Sequence, residues 1–512
     1  MSPKTSKPAS KGATALGTRE YYEKVSVPRD INHGPRVFGK TDWMASAVGF
    51  GCYRVGTTHP DHRKSLISAL KHGVNVIDTS TNYADGDSER LVGSCLEQGI
   101  SEGWLRREEV IVVSKVGYVQ ASNLTEAKER VAAGKAYPEM VEYTDDCWHC
   151  IHPDYLEEQL EKTRRRLGLE CVDAYLLHNP EYFLSAAQHQ KQRPDTETLR
   201  KEFYRRIEAA FKFLEKACQQ GRIQYYGVSS NSLGKLLDDP ESTSIESFLE
   251  AATRAAGGAD SHFAVVQMPL NVFESQPALN KLPSDPEKNT LEFAKAHGIS
   301  VLVNRPLNAF FNGQLVRLAD YPKGVIAHPF KQCISNVEDL EEEFRTRFAP
   351  QLEMGDASAE ELFTWGEELA HVPETHIGVE HWNQIDHQVR WQTRGLFQAI
   401  EEQTKLEGWE EWHERYARRL EELLQCCLAV ARQTSNETGR KIAEHLAPHI
   451  PSSYADSSLS QKELGLLMST DGVTTVLVGM RRPEYVTDSL EALKLEYVVN
   501  PENAYSAFAK GS

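Results

Sequence analysis

Eight short β-rich runs, each followed by a helical pattern, constrain the fold of this chain more than any other feature. The runs are "ASAVGFG", "NVIDTS", "VIVVSKV", "VDAYLLH", "QYYGVSS", "FAVVQMPL", "SVLVNRP" and "TTVLVGM". Several are apolar at successive positions, as expected of parallel strands covered on both faces. Between them, "PDYLEEQLEKTRRRLGL" puts Tyr155, Leu156, Leu160, Thr163 and Leu167 near one helical face. "FYRRIEAAFKFLEKACQQG" does the same with Phe203, Ile207, Ala210, Phe211 and Leu214, and Gly221 is its stop. Eightfold β-then-α repetition predicts an α/β protein with a (β/α)₈ TIM barrel. The rival, a doubly wound sheet, normally carries G-x-G-x-x-G after its first strand. "GFGCYRVG" begins with G-x-G but has no glycine at the last motif position, so it reads as a strand end.

One connection is abnormal. After "SVLVNRP" the eighth run begins about 170 residues later, far beyond ordinary βα loops. A mainly helical insertion between strands 7 and 8 is therefore expected over 308–455, with the barrel formed by 36–307 and 456–500. Its strongest helix is expected from Trp409 to Ala431, where Trp409, Trp412, Tyr416, Leu420, Leu423, Cys427 and Val430 recur at helical spacing. Five of the eight tryptophans (Trp365, Trp382, Trp391, Trp409 and Trp412) fall in the insertion, which argues for a small core of its own. His371, His376, His381 and His387 are spaced too loosely for a helical metal pair. The lone C-x-x-C at Cys147 and Cys150, beside His149 and His152, lacks the second pair of a zinc ribbon. No metal site is expected.

The formal charge of −17 excludes a general nucleic-acid binder and gives no attraction to anionic membranes. No apolar run approaches the ~20 residues that span a bilayer. Residues 1–35 read as a flexible tail. The start "MSPKTSKPASKGATALG" has no apolar segment of a secretory signal, and a disordered tail fits better than an organelle transit peptide. Nine cysteines, an odd number scattered through core runs, suggest reduced thiols and a cytoplasmic location.

In a barrel, chemistry gathers at the C-terminal ends of the strands. Here strand two ends in Asp78 with Tyr83 just beyond, strand three in Lys115 and strand four in His178. Any one of them alone could be a cap, a surface lysine or a core histidine. Together they form a proton-donating group. An ammonium lowers the pKa of a phenol, an aspartate keeps that ammonium charged, and a histidine orients a carbonyl oxygen. Lys115 as a Schiff-base lysine, in an aldolase or hydrolase, fits this company less well.

The chain resembles the aldo-keto reductases. The likeness lies in "FGKTDWMASAVGFGCYRVG", "VIDTSTNYADGDSERLVG" (compare D-T-A-x-x-Y-G-x-S-E-x-x-x-G), "VVSKVG", "RRRLGLECVDAYLLHNPE", "YYGVSSNS", "VVQMPLN" and "VLVGMRRPEYVTDSLEAL". The resemblance implies a catalytic tetrad of Asp78, Tyr83, Lys115 and His178, with Tyr83 the proton donor. It also implies a nicotinamide cofactor. Two of Ser229, Ser230 and Asn231 would meet its amide, as would Gln267. Arg305, Pro306 and Leu307 would lie near the pyrophosphate. Gly479, Met480 and Arg481 would surround the adenosine phosphate, where a cation favours NADP(H) over NAD(H). Tyr485, Asp488 and Ser489 stand in the adenine segment where Gln, Glu and Asn are common. Tyr53, Trp148 and His149 are the expected substrate-pocket residues. The implied activity is reduction of an aldehyde, ketone or sugar to an alcohol, or the reverse. The alternative is a cofactor-binding regulatory subunit that docks a partner, or a second copy, through the insertion.

Overall fold

The computed structural model describes residues 11–25, 30–189, 194–311, 313–322, 329–352, 359–375, 377–403 and 406–510. All eight runs become strands of one closed barrel: β1 (Val48–Gly51), β2 (Val76–Asp78), β3 (Ile111–Val116), β4 (Val172–His178), β5 (Ile223–Ser229), β6 (Phe263–Pro269), β7 (Ser300–Asn304) and β8 (Thr475–Val478). Each strand pairs in parallel with the next, and β8 pairs with β1. The helix predicted at residue 153 runs Pro153–Leu167 and ends at Gly168 in the left-handed region (φ 64°). The helix predicted from Phe203 begins earlier, spanning Thr196–Gln219, because Asp195 caps it through the Thr198 N–H.

Side chains alternate along each strand, and this alternation builds the site. Val76, Ile111, Val113, Ala174, Leu176, Val265, Leu302 and Leu477 share one buried cluster with Ala13, Phe38 and Trp43. The next position of the same parity is Asp78 on β2, Lys115 on β3 and His178 on β4. On β6 it is Gln267, and on β7 Asn304. Ser229 on β5 joins that level, being the register partner of both His178 and Gln267. An apolar plug is thus topped by a polar level.

The expected tail differs from the structure. Ala15–Lys24 is a helix capped by Thr14, and Tyr21 is buried with its hydroxyl donating to Leu70 O at 2.5 Å. Ala13 N–H donates to Asp173 Oδ1 at 2.6 Å, which pins the segment beneath the barrel. Its polar composition hid one anchoring aromatic residue.

The chain divides into two compact units, Met1–Ala309 with Ala447–Ser512, and Phe310–Leu446. In the second unit the helix beginning at Trp409 continues to Leu446, past the predicted end at Ala431. Beyond Ala431 the apolar stripe thins to Ile442 and Leu446, and the helix runs on through Thr434, Ser435, Asn436, Thr438 and Gly439, all weak helix formers, which is why local pattern ends it too early. Phe344, Phe348, Phe363, Trp382, Trp409, Trp412 and Tyr416 form the core of this unit. Residues 447–455, expected in the insertion, belong to the barrel unit, where Tyr454 is buried and bonds Glu496 O. His376 lies outside the described residues. No described helix is long and apolar enough to cross a membrane.

Candidate active site

Asp78 and Lys115 meet inside the barrel, 4% and 0% exposed. Lys115 Nζ lies 2.7 and 2.6 Å from the two Asp78 carboxylate oxygens and donates to Thr79 O at 2.8 Å. Gln267 Nε2 donates to Asp78 Oδ1 at 2.8 Å, and Ser229 Oγ donates to Gln267 Oε1 at 3.1 Å. A buried ion pair needs this kind of surrounding satisfaction to be tolerable. Burial pulls Lys115 below its ordinary value, and Asp78 opposes that pull.

Tyr83 stands in a tight turn whose next residues, Ala84 and Asp85, are left-handed (φ 49° and 53°). Such strain persists only where surrounding structure enforces it. The Tyr83 ring is 4.8 Å from Lys115 Nζ, 5.9 Å from the His178 ring and 5.4 Å from the Tyr53 ring. The tetrad is therefore assembled. Its electrostatics differ from the sequence expectation, in which Lys115 lowers the phenol's pKa. Burial pushes Tyr83 well above its ordinary value, and the Asp78 charge adds to the rise. The ammonium is neutralised by its own carboxylate, so the resting phenol is firmly protonated. His178 is pushed well below its ordinary value by burial, then by Lys115 and His149, and is neutral.

The three expected pocket residues lie in different surroundings. Tyr53 is 60% exposed with its ring edge against Tyr83. His149 is buried behind the site. Its Nε2–H donates to His178 O at 2.7 Å, and burial lowers it to about 4. Gly117 makes this approach feasible, because a Cβ there would sit 2.5 Å from His149 Nε2. Trp148 corrects the expectation. Strand alternation on Cys147–His149 turns it the other way, and Lys128 Nζ lies 5.7 Å from its ring centroid. Sequence reasoning missed Tyr118 and Tyr182. The Tyr118 ring lies 4.7 Å from His178 and 5.1 Å from Tyr182, and Asn179 Nδ2 donates to its hydroxyl. Both sit just past the ends of β3 and β4, which was the available signal.

The expected cofactor residues divide into two groups. Ser229, Ser230 and Gln267 are buried at the barrel mouth, and Asn231 N–H donates to Glu181 Oε1 at 2.7 Å. Glu181 Oε2 and Asn304 Oδ1 are buried acceptors without a protein donor, which suits a donor-bearing ligand group here. Arg305 (φ 51°) pairs with Glu274 at 2.5 Å, followed by Pro306 and buried Leu307. Past β8, nothing lies within 4 Å of a Cβ built at Gly479, while Met480 is buried and Arg481 half-buried. In the adenine segment Tyr485 is half-buried, but the other two residues are engaged elsewhere. Asp488 accepts from Ser458, Ser460 and Gln461, and Ser489 Oγ donates to Tyr485 O in its own helix. These contacts turn both side chains to holding the helix Pro483–Glu491 in place.

Among known proteins, an NAD(P)H-dependent D-xylose reductase of Scheffersomyces stipitis is 27% identical over 266 residues, 50% of this chain and 62% of that protein. An NAD(P)H-dependent D-xylose reductase of Candida tropicalis is 27% identical over 198 residues, 38% of this chain and 49% of that protein. This chain thus spans about half to three-fifths of the length of these relatives. Among solved structures, a glycerol dehydrogenase from Gluconobacter oxydans is 17% identical, with 94% of this chain and 95% of that one covered at a TM-score of 0.44. The model of the aldo/keto reductase family matches residues 47–342, from just before β1 through β7 and into the second unit. The match takes in more than half of the chain and all four tetrad positions, so the chain belongs to the aldo/keto reductase family.

Proposed function

We propose that this protein is an NAD(P)H-dependent carbonyl reductase, with NADP(H) preferred and a sugar or other small carbonyl as substrate. The observation that carries the reading is the buried Asp78–Lys115 pair against the Tyr83 ring, with neutral His178 edge-on to that ring at 5.9 Å. The names of the xylose reductase relatives agree with it.

A bound nicotinamide would supply hydride. The residues of the chain would do the rest. Neutral His178 orients the substrate oxygen by hydrogen bonding. Tyr83, kept protonated by burial, donates its proton as negative charge develops on that oxygen. The phenolate that results is stabilised by Lys115, and this stabilisation exists only once charge has formed. Asp78 holds the ammonium in place throughout.

Ser229, Ser230, Asn231 and Gln267 would hold the nicotinamide end, with the open Glu181 and Asn304 acceptors nearby. Arg305, Pro306 and Leu307 would follow the pyrophosphate. Gly479, Met480 and Arg481 would take the adenosine phosphate, and the arginine is the reason to prefer NADP(H). Asp488 and Ser489 are not offered for adenine.

The test is fluorescence titration with NADPH and NADH, followed by a carbonyl and sugar panel with the tighter cofactor. Tyr83→Phe is expected to keep NADPH affinity while losing turnover. Wild-type rates in that variant would sink the mechanism, and absence of binding to either nucleotide would sink the reading.

A further inference from the structure

We propose that Cys333 and Cys426 form a redox site in the Phe310–Leu446 unit, a thiol pair that a peroxide converts reversibly into a disulfide. The bond would close most of the aromatic core of that unit into one covalent loop. The inference concerns this unit alone and stands independently of the carbonyl-reductase reading.

Cys333 lies near the start of the helix Phe330–Glu343, and Cys426 lies in the middle of the helix Trp409–Leu446. Their Sγ atoms are 2.7 Å apart, across 93 positions of sequence. Further along, Arg415 pairs with Glu343 at 2.8 Å, and the Tyr416 hydroxyl donates to Glu341 at 2.8 Å. Trp412 Nε1–H donates to Leu340 O at 2.9 Å. These partners make the two helices antiparallel and fix their separation, so the sulfurs are held together by packed backbone. Closing the gap to the roughly 2.05 Å of a disulfide is a side-chain adjustment. Other buried cysteines are placed differently. Cys52, Cys150 and Cys171 turn their sulfurs to the backbone carbonyls of Phe50, Pro138 and Val172. Cys427, the next residue, points about 100° further round its helix.

Cys426 is 4% exposed and Cys333 1%, which favours a small oxidant over a bulky one. The Cys426 thiolate attacks one oxygen of hydrogen peroxide, the O–O bond breaks, and the products are a sulfenic acid and water. Cys333 then attacks the sulfenic sulfur. The S–S bond forms, the S–O bond breaks, and the oxygen leaves as a second water. The two thiols have lost two electrons and two protons, and one peroxide has become two waters. A dithiol reductant reverses the bond by exchange. Burial, and then the neighbouring Cys333, pushes the Cys426 thiol up to about 12. Its thiolate is therefore scarce and the first step slow, so the pair answers sustained rather than brief oxidation. Between the two cysteines lie Phe344, Phe363, Trp382, Trp409 and Trp412 of the unit's core. Closing so long a loop restricts the unfolded chain, so the oxidised unit resists unfolding.

The test is non-reducing mass spectrometry of the full chain, reduced, desalted and then treated with dilute hydrogen peroxide. The expected product has one cross-linked peptide pair joining Cys333 to Cys426, two hydrogens lighter than the separate peptides, and dithiothreitol releases it. Cys333→Ala and Cys426→Ala are each expected to abolish the cross-link, and Cys427→Ala to keep it. Nine titratable thiols after peroxide, oxygenation of either cysteine without a cross-link, or a bridge between other cysteines overturns the assignment. The wild-type peptide map decides the matter even where a variant fails to fold. Melting is followed by tryptophan fluorescence, since five of the eight tryptophans lie in this unit. The oxidised wild type is expected to melt about 5–10 °C above the reduced form. Equal melting overturns the claim that the bond stabilises the unit.

Discussion

The barrel mouth and the core of the Phe310–Leu446 unit bury their side chains for different purposes. At the mouth the buried groups are Asp78, Lys115, Ser229 and Gln267, joined by hydrogen bonds among β2, β3, β5 and β6, together with His178 on β4. In the other unit they are aromatic. Trp409 stacks on Trp412 at 5.1 Å and Trp412 on Tyr416 at 4.9 Å. A buried carboxylate there, Glu341, accepts from the Tyr416 hydroxyl at 2.8 Å and the Gly366 N–H at 3.1 Å. Packing alone makes a unit cohere. Polar burial is costly and persists where strands hold the groups in register, which is where chemistry is found.

Substitutions in both regions sharpen or break that contrast. Tyr83→Phe removes only a hydroxyl from the mouth and is expected to lower turnover about 10³-fold, measured as kcat on the best carbonyl. Lys115→Met leaves the Asp78 carboxylate buried without its cation and is expected to cost about 3–5 kcal/mol in denaturant titration. Adding Asp78→Asn should recover part of that loss, and no recovery would mean the two groups are not a pair. In the second unit Trp412→Ala opens a cavity worth about 3–5 kcal/mol. Trp412→Phe should cost far less there, since the ring contacts matter more than the Nε1–H bond to Leu340 O. Equal losses from both would show that this core, too, depends on polar links. The smallest effect is at Trp148, which packs under Lys128. Trp148→Leu should leave KM for substrate nearly unchanged, and a large rise would return that residue to the pocket.

A pH test belongs to the barrel unit as well. Glu463 is fully buried, its Oε1 accepts from the Val272 N–H at 3.1 Å, and burial pushes it up to about 8 from 4.5. Between those two values the unfolded chain has released this proton while the folded chain keeps it. Stability is therefore greatest below the lower value and falls as pH rises through the window. Glu463→Gln should match the wild-type Tm near pH 4.5 and exceed it increasingly toward pH 8. A Tm difference that stays flat across that range would contradict the burial argument.

The legible part of the fold was local. Apolar runs and helical stripes located all eight strands, because each pattern is set by the geometry of its own element. The helix Ala15–Lys24 was not legible, since its stability comes from Tyr21 and Ala13 reaching distant partners. The site followed the same division. Asp78, Lys115 and His178 could be placed at one mouth from strand ends alone, and Tyr83 one loop away. Trp148 was misjudged because its direction depends on the register of a small antiparallel sheet. Asp488 and Ser489 were misjudged because their partners lie on a neighbouring helix and in their own backbone.

The sequence by itself determined that a barrel forms and which polar residues stand at its C-terminal end, since alternation along a strand is an intrinsic period of two. Only the tertiary structure decided what those residues touch. Ser80 meets His178 across 98 positions and Gln267 meets Asp78 across 189. Such pairs depend on the stagger between strands and on side-chain reach, which no local period records. The Lys115 charge is the clearest case. Sequence placed an ammonium beside a phenol, but the fold closed that ammonium onto Asp78, leaving the resting tyrosine protonated.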